Sequence, residues 1–153
     1  MIFNETIFQW VVVGLSAFGL WVANHIRSHK QKKTPLVCMV GFDCHSVVHS
    51  DYSKFFGIRV EMLGMLYYAI VAALYLLMFA LPKAGWYSMS LIGLTAIISL
   101  VAFLFSFYLI CVQIFILRKG CSWCIVSAII SALIFFINIE VYGSGVFAKL
   151  FLM

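Results

Sequence analysis

The chain has 153 residues, of which 65% are hydrophobic and 10% charged, with a formal net charge of +5. Soluble domains carry about a quarter charged residues, so this composition excludes an ordinary soluble domain and leaves room for one membrane domain, residues 1–153. The basic residues lie between apolar runs, which points to anionic lipid headgroups as their partner and away from nucleic acid.

The first apolar run, Thr6 to Ile26, contains no Lys, Arg, Asp or Glu. As a helix it is about 30 Å long, enough to cross a bilayer. Met1 to Phe8 holds no basic residue and no small-residue cleavage site follows, so the run is expected to be a retained span, not a cleaved signal. "RSHKQKKTP" follows and reads as a solvated basic linker. It opens a long loop, Arg27 to Glu61, which contains "CMVGFDC" with Cys38 and Cys44. In "HSVVHSDYSKFFGI", Val48, Tyr52 and Phe55 stand at i, i+4 and i+7, which predicts a short amphipathic helix lying on the membrane.

Three further runs predict spans: Met62 to Leu81, ended by Pro82; Tyr87 to Leu117, long enough to tilt or protrude; and Cys121 to Ile139, bounded by Glu140. Trp10, Trp21, Trp86, Tyr87 and Trp123 fall near the ends of these spans, where amphipathic rings prefer to sit. Val146 to Met153 is too short to span and reads as a surface tail or an extension of the last helix. The expected fold is therefore all-α: an integral membrane four-helix bundle, with the amphipathic helix in the loop between helices one and two. Four spans put both termini on one side of the membrane. The long loop and the "RKG" turn at Arg118 to Gly120 then share the other side, whichever way the protein is oriented. Cys38 and Cys44 thus face the same compartment as Cys121 and Cys124.

Five cysteines divide into four and one. Cys111, inside the third span, reads as a small buried hydrophobe. "CSWC" opens the last helix, where free N–H groups and the positive dipole end stabilise a thiolate, the first cysteine most. Arg118 and Lys119 add positive charge beside it, and such a thiolate exchanges readily. Thiol–disulfide relay is the reading that this placement favours, with no metal. Two alternatives stay open: a structural zinc held by Cys38, Cys44, His45 and His49 alongside the "CSWC" pair, and a set of fixed disulfides. Either would make this a non-catalytic membrane protein.

The order of parts is a span, a basic linker, a loop cysteine pair, Ser50 six residues after the second cysteine, "FFGI", "LGMLYY" at the next helix, and a Cys-x-x-Cys at the last. From Ile7 to Glu140 this resembles the vitamin K epoxide reductase family, in particular its bacterial and archaeal disulfide-forming members. The resemblance implies a four-helix bundle around a quinone of the ubiquinone or menaquinone type. It implies that electrons pass from a thioredoxin-like partner to Cys38, from Cys44 to Cys121, and from Cys124 to the quinone. Ser50 matches a loop serine associated with the active site. "VEMLGMLYY" matches the start of the pocket-lining helix, which brings in Glu61, Gly64 and Tyr68; the residues themselves favour reading Glu61 as an interfacial carboxylate marking the start of that helix. A fused thioredoxin-like domain is absent, so the partner is expected to act in trans. Ala128 stands where epoxide-reducing members carry a tyrosine, so plain quinone reduction fits better than epoxide chemistry. Arg59 follows "FGI" where microbial members often have proline.

Orientation is contested within the sequence. The family arrangement implies a multi-pass cell-membrane protein whose redox cysteines face the extracytoplasmic side. Yet Arg27, Lys30, Lys32, Lys33, Lys54, Arg59, Arg118 and Lys119 would all lie on that side, leaving only Lys83 and Lys149 within. The positive-inside rule favours the opposite arrangement, an inverted enzyme that oxidises cytosolic thiols.

Overall fold

A computed structural model of the chain describes residues 2–32, 41, 46–47, 49–81 and 86–140. Cys38, Cys44, His45 and the tail 146–153 lie outside these residues, so the expectations that rest on them are carried forward without a structural counterpart.

Four helices account for most of the described chain: α1 (Ile2–Gln31), α2 (Val60–Ala80), α3 (Trp86–Cys111) and α4 (Ser122–Asn138). Among the described residues, three helices are long and apolar enough to cross a membrane: Thr6–Gln31, Val60–Ala80 and Ser90–Leu117. The 17 residues of α4 are equally apolar and rise about 25 Å. This is the all-α membrane bundle that the charge-free runs predict.

Burial follows the logic of a lipid solvent. Leu66, Phe79, Val101, Phe107 and Phe136 face outward, while Ser16, Thr95 and Ser99 are fully buried between helices. Small and polar residues belong at helix contacts in a membrane, because lipid satisfies apolar side chains but offers nothing to hydroxyls. The clearest case joins three helices. Tyr75 Oη of α2 donates to Asn138 Oδ1 of α4 at 2.7 Å, and Asn138 Nδ2 donates to Ser99 Oγ of α3 at 3.3 Å and to Ile134 O at 2.8 Å. Between α1 and α2, Gly19 lets the ring of Tyr68 come so close that a Cβ there would sit 2.5 Å from Tyr68 Cε1. Farther along the same pair of helices, Trp10 meets Phe79 edge-on.

Two local expectations are corrected. Arg27 to Gln31, read as linker, continue α1, and Lys30 in that last turn reaches Glu61 at the start of α2. The predicted amphipathic helix is confined: Ser46 and Val47 are helical, but Ser50 is extended and Asp51–Ser53 form a 3-10 turn. Lys54–Phe55 (β1) and Ile58–Arg59 (β2) then pair as an antiparallel hairpin, Lys54 opposite Arg59. Its two-residue turn places Phe56 at φ 52° and Gly57 at φ 80°, the doubly left-handed geometry that tight hairpins require. Glycine at the second turn position turns the chain back where a helix would have continued.

α3 also ends irregularly. Val112–Leu117 form a π-helical turn, Arg118 adopts the left-handed conformation, and Lys119 N–H closes on Gln113 O at 3.2 Å. The wider turn shifts the side chains of one helix face relative to the next, a device common at functional sites. Here it turns Gln113 inward, where it is 6% exposed.

Candidate functional site

The site is built on the first turn of α4. Cys121 has extended backbone and occupies the N-cap, and its Sγ accepts the N–H of Cys124 at 3.4 Å. Serine or aspartate oxygen usually fills this role; here a sulfur does. A sulfur that accepts an N–H at a helix N-terminus is placed to carry negative charge. Both cysteines are free thiols in this structure. Cys121 is fully buried in a cluster with Val22 and Ile26 of α1, Val47 of the loop and Tyr68 of α2, whereas Cys124 is half-buried.

Gln113 holds the pair from the side. Its Oε1 accepts the N–H of Cys121 at 3.4 Å. Trp123, inside the motif, packs on His25 of α1 at a centroid distance of 4.6 Å and meets Trp21 edge-on. The head of α4 is thereby fixed against α1 and α3.

Cys124 opens onto a half-open cavity of about 660 Å³ lined by α1, α2, α3, α4 and the hairpin. Its walls are apolar residues such as Ile98, Phe105 and Leu109, interrupted by a few polar groups. Five of the residues singled out from the sequence line it: Ser50, Glu61, Gly64, Tyr68 and Cys124. Cys121 stands directly behind Cys124. Cys111 does not reach the cavity.

Each of these residues has a definite setting. Ser50 Oγ donates to Val47 O at 2.7 Å and so ties the loop segment that covers Cys121. Glu61 lies in the first turn of α2, nearly buried, and pairs with Lys30 Nζ at 3.2 Å; Lys30 also donates to Ser53 Oγ at 3.2 Å. One lysine thus joins the end of α1, the 3-10 turn and the start of α2. Tyr68 Oη donates to Ser127 O at 2.8 Å, locking α2 to α4 one turn below Cys124. Gly64 has only the Cβ of Ala23 nearby, at 4.0 Å from where a side chain would begin.

Several participants escape a sequence reading. Gln113 stood in plain view as the one amide in the third span, and a polar residue inside an apolar span is itself a signal of internal pairing. Tyr67, Ser127 and Ser131 carry no signal in spacing; only the packing brings them to the cavity, and Lys30 to Ser53 and Glu61 at its edge.

A family model described as "Vitamin K epoxide reductase family" matches residues 8–139. No curated protein matches the chain.

Proposed function

Starting from a chain that belongs to the vitamin K epoxide reductase family, and is by that membership a membrane oxidoreductase, we propose that it generates disulfides by passing electrons from a thioredoxin-like partner, acting in trans, to a quinone. The observation that carries this reading is the division of the Cys-x-x-Cys across a boundary. Cys121 lies under the loop, while Cys124, one turn on, faces an apolar cavity. A water-side thiol and a lipid-soluble oxidant can both be served only at such a boundary.

The cavity suits a quinone. Its wall is apolar enough for a substituted ring, and it includes buried hydroxyls, Tyr67 Oη and Ser131 Oγ, that close no hydrogen bond among the described residues. Glu61, Gly64 and Tyr68 shape its α2 side, and Ser50 supports the loop at its edge. When bound, the quinone supplies the two-electron sink of ubiquinone or menaquinone type. Ala128 adds no hydroxyl on α4, so no donor for epoxide chemistry stands there.

The cysteines divide the work in sequence. The reduced partner attacks Cys38, breaking the Cys38–Cys44 bond, and leaves that pair as a dithiol. Cys44 thiolate then attacks Cys121 of the Cys121–Cys124 bridge, forming a Cys44–Cys121 bond and releasing Cys124 as a thiolate. Cys38 attacks Cys44, re-forms the loop disulfide and frees Cys121. Two electrons and two protons now rest on Cys121 and Cys124, and their oxidation restores the bridge. Gln113 holds the Cys121 N–H, and with it the head of α4, in place throughout. The contact of Lys119 Nζ with Ser46 Oγ, at 3.3 Å, supports the approach of the loop to the head of α4.

Purified protein mixed with a reduced thioredoxin-like dithiol protein and a short-tailed quinone should bleach the quinone absorbance catalytically, and Cys124→Ala should abolish it. Catalytic bleaching that persists in Cys124→Ala, or its absence in the unaltered protein, contradicts the proposal.

A further inference from the structure

Two neighbouring tyrosines on α2 face different fates. Their rings lie 5.0 Å apart. Tyr68 Oη is satisfied by Ser127 O at 2.8 Å. Tyr67 Oη is directed toward Ser99 of α3 and Ser131 of α4, but neither approach makes a hydrogen bond of good geometry. Ser99 already accepts from Asn138 Nδ2, and Asn138 is held in turn by Tyr75. Ser131, 2% exposed, is left with its Oγ unpaired as well. Buried hydroxyls are nearly always paired in folded proteins, so two unpaired ones in a single apolar wall point to a missing acceptor.

Their position defines that acceptor. Tyr67, Ser131 and Cys124 all line the same cavity. Seven residues separate Cys124 from Ser131 along α4, a rise of about 10 Å. That is close to the span of a ring with its carbonyl oxygens and one hydrogen bond. Ala128 lies between them on the cavity wall and keeps the slot open. One end of the slot therefore holds the redox sulfur and the other a phenol donor with nothing to donate to.

Building on the quinone reading above, we propose that Tyr67 Oη donates the hydrogen bond that holds the ring oxygen remote from Cys124, with Ser131 beside it. Behind Tyr67, the Ser99–Asn138–Tyr75 network ties α2, α3 and α4 together. Tyr67 is thus a binding and orienting residue for the oxidant and makes no covalent bond.

The test compares two probes on the full-length protein in detergent: a short-tailed benzoquinone with isotope-labelled carbonyls, and the matching tailed benzene without ring oxygens. Equilibrium dialysis gives the affinities, and infrared difference spectra give the carbonyl stretch. Tyr67→Phe should weaken quinone binding about tenfold, the loss expected of one hydrogen bond, and leave the benzene probe unchanged. In the unaltered protein one carbonyl stretch should shift to lower frequency, and in Tyr67→Phe that shift should vanish. Equal loss for both probes, or unchanged quinone affinity, overturns the inference while leaving the quinone site standing. The unaltered protein alone also decides: an unshifted carbonyl pair overturns it even if the variant fails to fold. Failure of the unaltered protein to bind the quinone at all overturns the quinone reading itself, and this inference with it.

Discussion

Lys119 Nζ lies 3.3 Å from Ser46 Oγ, so the turn two residues before Cys121 touches the loop two residues after Cys44. Val47, next along, is buried in the same cluster as Cys121. The loop is thus seated on the head of α4 by a polar contact and an apolar one. The residues that hold this loop contact and the cysteine pair are therefore the ones to test.

Ser50 tests the loop side of that statement. Its hydroxyl donates to Val47 O at 2.7 Å, and one such bond is worth about 1 kcal/mol. Ser50→Ala should keep the fold and its melting temperature within a few degrees, and slow steady-state quinone reduction several-fold. Unchanged turnover would remove the role given to Ser50.

Gln113 tests the helix side. Gln113→Leu keeps the volume but removes the acceptor for Cys121 N–H. The buried N–H left behind costs about 1–3 kcal/mol. Turnover should fall at least tenfold, and alkylation of Cys124 by a small lipid-soluble maleimide should change in rate. Normal turnover with normal alkylation would show that the amide is packing only.

Gly19 tests the packing beneath the site. A Cβ there would sit 2.5 Å from a tyrosine ring that cannot swing away without losing its bond to Ser127. Gly19→Ala should cost about 1–3 kcal/mol, the usual range for overpacking. Gly14→Ala on the same helix, where nothing lies within 4 Å, should be near neutral. Melting curves of the two proteins in one detergent measure the difference; similar destabilisation of both would contradict the close approach of α1 and α2.

The helices were legible because charge-free runs of span length allow little else, and the boundary cysteines were legible because Cys-x-x-Cys opens the last run. The interior was not. Helices that are apolar all round have no stripe to say which face turns inward, so Tyr75, Ser99 and Asn138 gave no notice of their partners, nor Ser131 of its burial. The hairpin failed for a different reason. Apolar residues at 48, 52 and 55 match a helical face, and only the positive φ at Phe56 and Gly57 shows the chain turning back. The extension of α1 past Arg27 depends on the ion pair of Lys30 with Glu61, 31 residues away, which no local window contains. The outer members of the site, Ser50, Gly64 and Tyr68, came from the family resemblance and not from spacing.

Orientation follows from labelling. Cys38 should react, after reduction, with a membrane-impermeant maleimide added to intact cells, as the family arrangement requires. Eight basic residues on the loop side argue the other way. Labelling seen only after the cells are opened would establish the inverted enzyme, with the same chemistry acting on cytosolic thiols.

The relay itself is tested most directly by trapping it. Cys124→Ala removes the partner with which Cys121 closes its own bridge, so a Cys121 thiolate that attacks Cys44 of the loop disulfide, releasing Cys38 as a thiolate, stays joined to the loop, while Cys121 keeps its place at the N-cap of α4. Mass spectrometry of non-reduced digests of that protein should find Cys44 joined to Cys121, with Cys38 free, and the same bridge should form when Cys111 is also replaced by alanine. A bridge from Cys38 to Cys121 would reverse the roles of the two loop cysteines, and the absence of any bridge between loop and helix would contradict the relay.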